Sequence, residues 1–212
     1  MKKSVILAAG KGTRMKSVHP KVVHKVCGKE MVNHVIDAST SAGVNETIVV
    51  LGHGSDEVEA ALKSNVQTVY QKEQLGTAHA VLMAQDYIGD TDTIVVLCGD
   101  TPLISPETLV NFFDYLDKNG CSVTVFTAQI EDPTGYGRIV RDENGDLVKI
   151  VEQKDADEAT RAIKEINSGI YCFNGADLKD ALYLVGNNNA QHEYYLPDTI
   201  EIIRRKGLKA GA

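Results

Sequence analysis

Val5-Ile6-Leu7-Ala8-Ala9-Gly10-Lys11-Gly12-Thr13-Arg14-Met15, followed shortly by Pro20-Lys21, is the stretch on which the fold turns. Val5 to Leu7 is a short apolar run, the pattern of a buried strand. The chain then passes at once to small residues, two glycines and the cations Lys11, Arg14 and Lys21. Glycines without Cβ let backbone N–H groups close on an anion, and neighbouring cations neutralise it. At the end of a strand, that combination supplies what a nucleoside triphosphate requires. A Walker A loop is not present from Gly10 onward, and Met15 stands where a dinucleotide fingerprint needs its third glycine. Gly-x-Gly alone is also what an ordinary turn would contain. Gly-x-Gly-Thr-Arg-Met with a downstream Pro-Lys is far more specific.

Outward from this stretch, helical and extended patterns alternate. Met31 to Ala42 has helical apolar spacing and ends at Gly43. Thr47 to Leu51 reads as a covered strand, too uniformly apolar for a half-exposed one, Val66 to Tyr70 as a third strand and Thr93 to Cys98 as a fourth, buried one. Between them lie helices beginning at Ser55, expected as an N-cap, and at Thr77, expected to cap its own helix. Ser105-Pro106-Glu107 opens a helix that Gly120 closes, and Cys121 to Gln129 returns as strand. This rhythm predicts an α/β fold with a doubly wound, mostly parallel sheet. Ligands in such sheets sit at the carboxyl ends of strands, and Gly10, Gln71 and Asp100 each fall just past one.

After Gln129 the pattern changes. Gly137 to Arg141 and Leu147 to Glu152 flank an Asn144-Gly145 turn, a hairpin signal. Ile166 to Phe173 reads as strand, and helices are expected over Ala176 to Leu184 and from Pro197 to Gly207. The division expected is a nucleotide-binding part over about 1–130 and a small mixed lobe over about 131–212, within one domain.

A net charge of -7 argues against non-specific nucleic-acid binding, so a phosphate-rich substrate must be held by local cations and metal. Cys27, Cys98, Cys121 and Cys172 are scattered, with no Cys-x-x-Cys pair, and read as reduced and mostly buried. The six histidines show no metal-ligand spacing. No apolar run reaches membrane-spanning length and no secretory signal is evident, so a cytoplasmic protein is expected.

The opening stretch resembles that of the sugar-1-phosphate nucleotidylyltransferases, and Leu-Ala-Ala-Gly-Lys-Gly-Thr-Arg-Met…Pro-Lys-Val is most similar to the N-acetylglucosamine-1-phosphate uridyltransferases. The resemblance runs through the whole chain. It implies a Rossmann-like nucleotide-diphospho-sugar transferase fold, UTP and N-acetylglucosamine 1-phosphate as substrates, and Mg²⁺ as cofactor. Asp100, in Leu97-Cys98-Gly99-Asp100-Thr101-Pro102, is then the metal-binding aspartate, although an aspartate there could also cap the next turn. Arg14 and Lys21 match the catalytic cations, and the Leu7, Ala8, Ala9 and Gly10 backbone joins Gln71, Gly76 and Thr77 at the uridine. Cys98 and Gly99, just before the metal site, are implied as substrate-binding residues. Gly137, Glu152 and Asn167 match the sugar pocket in order, and Tyr194, Tyr195 and Asp198 match as mainly structural residues.

Two departures carry expectations. The family's second metal ligand, an asparagine beyond the lobe, has not appeared by Ala212, which implies weakened metal binding and turnover. No hexapeptide-repeat run is present, so neither the acetyltransferase half of the bifunctional members nor their homotrimer is expected here, but a monomer. Two rivals stay open on sequence: a pyrophosphorylase for another sugar or pyrimidine nucleotide, and a non-catalytic nucleotide-sugar-binding module.

Overall fold

The computed structural model describes all residues from Met1 to Ala212 apart from Thr13, Arg14 and Ser64. Arg14, expected as a catalytic cation, therefore lies outside the described residues.

In chain order, β1 (Lys2–Ala8) leads through the glycine-rich loop to a small hairpin of β2 (Lys25–Val26) and β3 (Lys29–Glu30), then α1 (Met31–Ser41). Next come β4 (Glu46–Leu51), α2 (Ser55–Ala61), β5 (Gln67–Tyr70), α3 (Thr77–Leu82), β6 (Thr93–Cys98), α4 (Pro106–Asn119) and β7 (Val123–Gln129). The remainder is β8 (Arg138–Arg141), β9 (Leu147–Val151), α5 (Glu158–Arg161), β10 (Glu165–Asn174), α6 (Gly175–Leu182), α7 (Asp198–Arg205) and β11 (Ala210–Gly211).

The described strands form one large sheet in the order β11-β7-β10-β6-β1-β4-β5, with the β8–β9 hairpin hung from β10. β1 pairs in parallel with β4 and β6, and β4 in parallel with β5. Alternation along these strands separates two apolar layers. Val5, Ile48, Val50, Ile94 and Val96 pack with α3, α6 and α7 on one face. Ile6, Val49, Leu51, Val95 and Leu97 pack with α1, α2 and α4 on the other. Leu97 has no exposed surface, and burying such a side chain stabilises by about 1.5–3 kcal/mol. The expected doubly wound, mostly parallel sheet is thus present.

One strand departs from that pattern. β10 is antiparallel to both β6 and β7 and sits between them, so the chain returns from the lobe through the middle of the sheet. Ile139, Leu147 and Ile150 of the hairpin join the same apolar layer as Leu196, Ile200 and Ile203. Local signals fare unevenly. Ser105 caps α4 by accepting the Thr108 N–H at 3.1 Å, and Gly120 ends that helix at φ +60°. Ser55 does not cap α2; the residue before it, Gly54, takes the left-handed conformation there. The Thr77 hydroxyl caps nothing in its own helix, but accepts the Leu196 N–H at 2.9 Å. The four cysteines are free thiols, with Cys121 and Cys172 buried and Cys27 exposed on the β2–β3 turn. No helix among the described residues is long and apolar enough to cross a membrane.

Candidate functional site

Strand register sets the site. Leu7 pairs with Cys98, Ala8 with Leu51, and Leu51 with Tyr70, so the carboxyl ends of β6, β1, β4 and β5 finish level. What each strand releases next is therefore delivered to one rim. A cleft of about 620 Å³ opens there, lined among others by Leu7, Ala8, Ala9, Gly10, Lys21, Gln71, Gly76, Thr77, Cys98 and Asp100. Residues as far apart in sequence as Leu7 and Asp100 thus share one wall, as the strand-end argument requires.

Lys21 begins a 3-10 turn, Lys21–Val23, that follows Pro20, and Val22 plugs the turn into the apolar layer beneath. Gly12 faces it at φ +58°, and a Cβ on Gly12 would lie 2.8 Å from the Lys21 Cβ. Glycine is needed there twice over, for the left-handed backbone and for room beside Lys21. The Lys21 ammonium forms an ion pair with the Asp100 carboxylate, each side chain about a third exposed (34% and 29%). Beyond Asp100 the chain turns tightly, with the Thr101 hydroxyl donating to the Cys98 carbonyl at 2.7 Å. Asp100 caps no turn in the described hydrogen bonding, and its charge faces the cleft, not the fold.

Gly99 lies below this rim: its N–H donates to the Leu7 carbonyl at 3.0 Å. Cys98 forms a neutral wall, its thiol pushed up to about 12 by burial, with the Asp100 charge adding and Lys21 opposing. It is no nucleophile at that value.

Gln71 is only 3% exposed. Its amide nitrogen sits 3.0 Å from the Gly76 carbonyl and 3.0 Å from His79 Nδ1, so both of its N–H groups are engaged within the turn. A ligand meets the amide through its oxygen, as an acceptor. The turn itself is clamped by a distant segment. Tyr194 N–H donates to the Leu75 carbonyl at 2.8 Å, and Ala78 N–H donates to the Tyr194 carbonyl at 2.9 Å. This clamp explains the structural part expected of Tyr194, and it sets Glu193 on the cleft wall. Glu193 was not foreseen, because nothing local in Gln191-His192-Glu193 separates it from a surface acid.

Gly137, Glu152 and Asn167 lie together in the lobe but do not line the 620 Å³ cleft. Asn167 N–H donates to the Gly137 carbonyl at 2.9 Å, and a Cβ on Gly137 would stand 2.9 Å from a Glu152 oxygen. The Asn167 side-chain oxygen accepts the Gly169 N–H at 2.9 Å, and Gly169 in turn lies against the Cys98 sulfur. Cys98 is thus the boundary between the cleft and this group. Glu152 is held above the usual carboxylate range by burial and by Asp155 and Asp198, with Arg138 pulling the other way. Arg138 is 1% exposed and spends its donors on the Tyr136 and Arg161 carbonyls and the Gln153 side chain. Asp198 is raised to about 6, by burial first and then by Glu201 and Asp155.

No group of three or more His, Cys, Asp or Glu side chains among the described residues could cage a metal ion. One carboxylate facing an open cleft is nevertheless the donor set that Mg²⁺ uses when substrate phosphates and water complete its shell. Asp100 fits that role.

Comparison with known proteins agrees with the geometry. The chain is 62% identical over 210 residues to the bifunctional protein GlmU of Clostridioides difficile and 56% identical over 209 residues to that of Alkaliphilus oremlandii. Each match covers 99% of this chain but 46% of the relative, so the chain spans about half the length of these proteins. A crystal structure of UDP-glucose pyrophosphorylase complexed with UDP-glucose superposes with a TM-score of 0.79 at 22% identity, covering 97% of this chain and 88% of that one. It shares the fold, that of the nucleotide-diphospho-sugar transferases. The nucleotidyl transferase family model matches residues 3–212, and the chain belongs to that family.

Proposed function

We propose that the chain transfers UMP from UTP to N-acetyl-α-D-glucosamine 1-phosphate, giving UDP-N-acetylglucosamine and pyrophosphate. The observation that carries this is the convergence of the Gly10 loop, Lys21, Gln71 and Asp100 on one cleft at level strand ends. The identity to proteins named bifunctional protein GlmU supports the choice of substrates.

In this reading the nucleotide lies along the rim. The Gln71 amide oxygen accepts the imide N–H of uracil, and Gly76 allows the base close to the backbone. The Leu7 to Gly10 backbone runs beside the nucleotide, and the loop to Gly12 follows the phosphates. A phosphate oxygen of the sugar 1-phosphate attacks the α-phosphorus of UTP; the bond from that phosphorus to the bridging oxygen breaks, and the electron pair leaves with pyrophosphate. Lys21, joined by Arg14, neutralises charge growing on that leaving group, which is where electrostatic catalysis is worth most. Mg²⁺ held by Asp100 would supply further neutralisation of the phosphates. The protein offers no nucleophile, and alignment with charge neutralisation suffices for this chemistry. Gly137, Glu152 and Asn167 bind the sugar hydroxyls and N-acetyl group, so residues 131–212 act as the sugar half and 1–130 as the nucleotide half.

Pyrophosphate release measured over a panel of nucleoside triphosphates and sugar 1-phosphates tests the reading. UTP with N-acetylglucosamine 1-phosphate should exceed every other pair. Preference for another sugar or base would replace the substrate, and binding of UDP-N-acetylglucosamine without any release would remove the activity.

A further inference from the structure

Tyr171 is 1% exposed, yet its hydroxyl has no hydrogen-bond partner among the described residues. Its ring stacks on Phe173 with centroids 5.8 Å apart and planes 20° from parallel. A phenylalanine would fill that volume and make the same stack without burying an unpaired polar atom, which is a costly thing to leave in a core. The oxygen therefore calls for a use that the ligand-free fold does not show.

Its surroundings indicate the use. Glu152, Asn167, Cys98 and Asp198 all act on the hydroxyl, and of these Asn167 is the side chain placed to hydrogen-bond it, although no bond of full geometry forms in the ligand-free fold. Two of these, Glu152 and Asn167, are the candidate sugar ligands, and Cys98 is the wall between them and the nucleotide cleft. Burial raises the Tyr171 phenol well above its ordinary range, so it stays a neutral O–H that can both donate and accept. The Asn167 oxygen is already taken by Gly169 N–H, which leaves the amide N–H₂ to be oriented.

We propose that Tyr171 is a positioning residue for the sugar: its hydroxyl takes up the Asn167 amide and fixes it when the sugar of a nucleotide-sugar enters. The proposal rests on the assignment of Gly137, Glu152 and Asn167 to the sugar. Tyr171 does not touch the reacting atoms, and acts through the side chain above it.

Titration calorimetry of the whole chain with UDP-N-acetylglucosamine and, separately, UDP tests it. Tyr171→Phe is expected to weaken the nucleotide-sugar five- to tenfold, the scale of one lost hydrogen bond, and to leave UDP unchanged. The thermal midpoint of the ligand-free variant should not fall, since only an unpaired oxygen has been removed. Asn167→Ala should weaken the nucleotide-sugar as well, and the double variant should be no weaker than Asn167→Ala alone, because the two side chains act as one unit. An unchanged nucleotide-sugar affinity in Tyr171→Phe beside a weakened Asn167→Ala overturns the role of Tyr171, as does a parallel loss for UDP or additivity in the double variant. If neither single variant weakens the nucleotide-sugar, the sugar-pocket assignment itself falls and this proposal falls with it.

Discussion

Asp100 faces two opposing demands, and Asp100→Asn separates them. In the ligand-free protein its charge neutralises Lys21, with both side chains about a third exposed. A nucleotide phosphate arriving beside Lys21 without metal meets that carboxylate as a like charge. At a separation of roughly 5 Å, and an effective dielectric constant of roughly 40–80 for so open a site, the repulsion is about 1–2 kcal/mol per unit of phosphate charge. Physiological salt screens about half of it. Removing the charge while keeping the shape should therefore tighten metal-free UTP by about 1 kcal/mol, or roughly fivefold. With Mg²⁺ present the order reverses: the native chain gains affinity, the variant gains little, and pyrophosphate release falls roughly 10²-fold or more. Calorimetry in chelator and again in magnesium chloride reads both halves. A variant that binds UTP no more tightly in chelator, and still gains from Mg²⁺ as the native chain does, refutes the assignment of Asp100 to the metal.

Three further outcomes are expected. Gly12→Ala should lower kcat at least tenfold and the thermal midpoint by a few degrees, because the left-handed backbone at φ +58° costs about 1–2 kcal/mol and the new Cβ displaces Lys21; steady-state kinetics beside thermal melts by circular dichroism checks it. Gln71→Ala should raise the KM for UTP about tenfold and narrow the preference for UTP over CTP, since the acceptor facing the imide is lost, and competition assays read this. Asp198→Asn should raise the thermal midpoint at pH 7–8. Its folded value of about 6 lies above the ordinary 3.8, so the folded chain binds the extra proton and stability falls as pH rises through that window. The advantage of the variant should fade as pH drops from 6 towards 4, and thermal melts across pH would show a constant difference if the reasoning were wrong.

How much of this was legible in the letters depends on whether the signal was local. Gly10, Gln71 and Asp100 could be placed because an extended run announces its own end, and level ends follow from parallel register. Gly43, Gly120 and Gly207 could be read because a helix stop needs a left-handed residue just there, and all three have positive φ. The direction of β10 could not be read: Ile166 to Phe173 is apolar enough to be covered, but apolarity says nothing of which way a strand runs. That is set by the lobe hairpin, which brings the chain back at the end of the sheet where β7 left it. The β2–β3 hairpin was missed for a plainer reason, since two-residue strands carry no alternation. Ser55 and Thr77 misled because a hydroxyl at a helix start has other uses. Thr77 gives its oxygen to Leu196, and that bond joins the Gln71 to Thr77 turn to the segment carrying Tyr194.

That same bond links the two ends of the site. β10 carries Asn167 at the lobe and from Tyr171 onward pairs with β6, the strand that ends at Cys98 just before Asp100. The segment after α6 returns to clamp Gly76 and places Glu193 on the nucleotide cleft. The lobe group of Gly137, Glu152 and Asn167 and the residues of the cleft are thus built on shared strands and shared backbone hydrogen bonds. In a chain carrying a net charge of -7, the overall field opposes an incoming triphosphate, and the cations that admit it must be held locally. The Lys21–Asp100 pair does this at little electrostatic cost, because each charge is compensated until the phosphates arrive. It follows that raising ionic strength should weaken UTP binding less in this cleft than in one lined by uncompensated cations, since salt here screens the opposing field as well as the attraction.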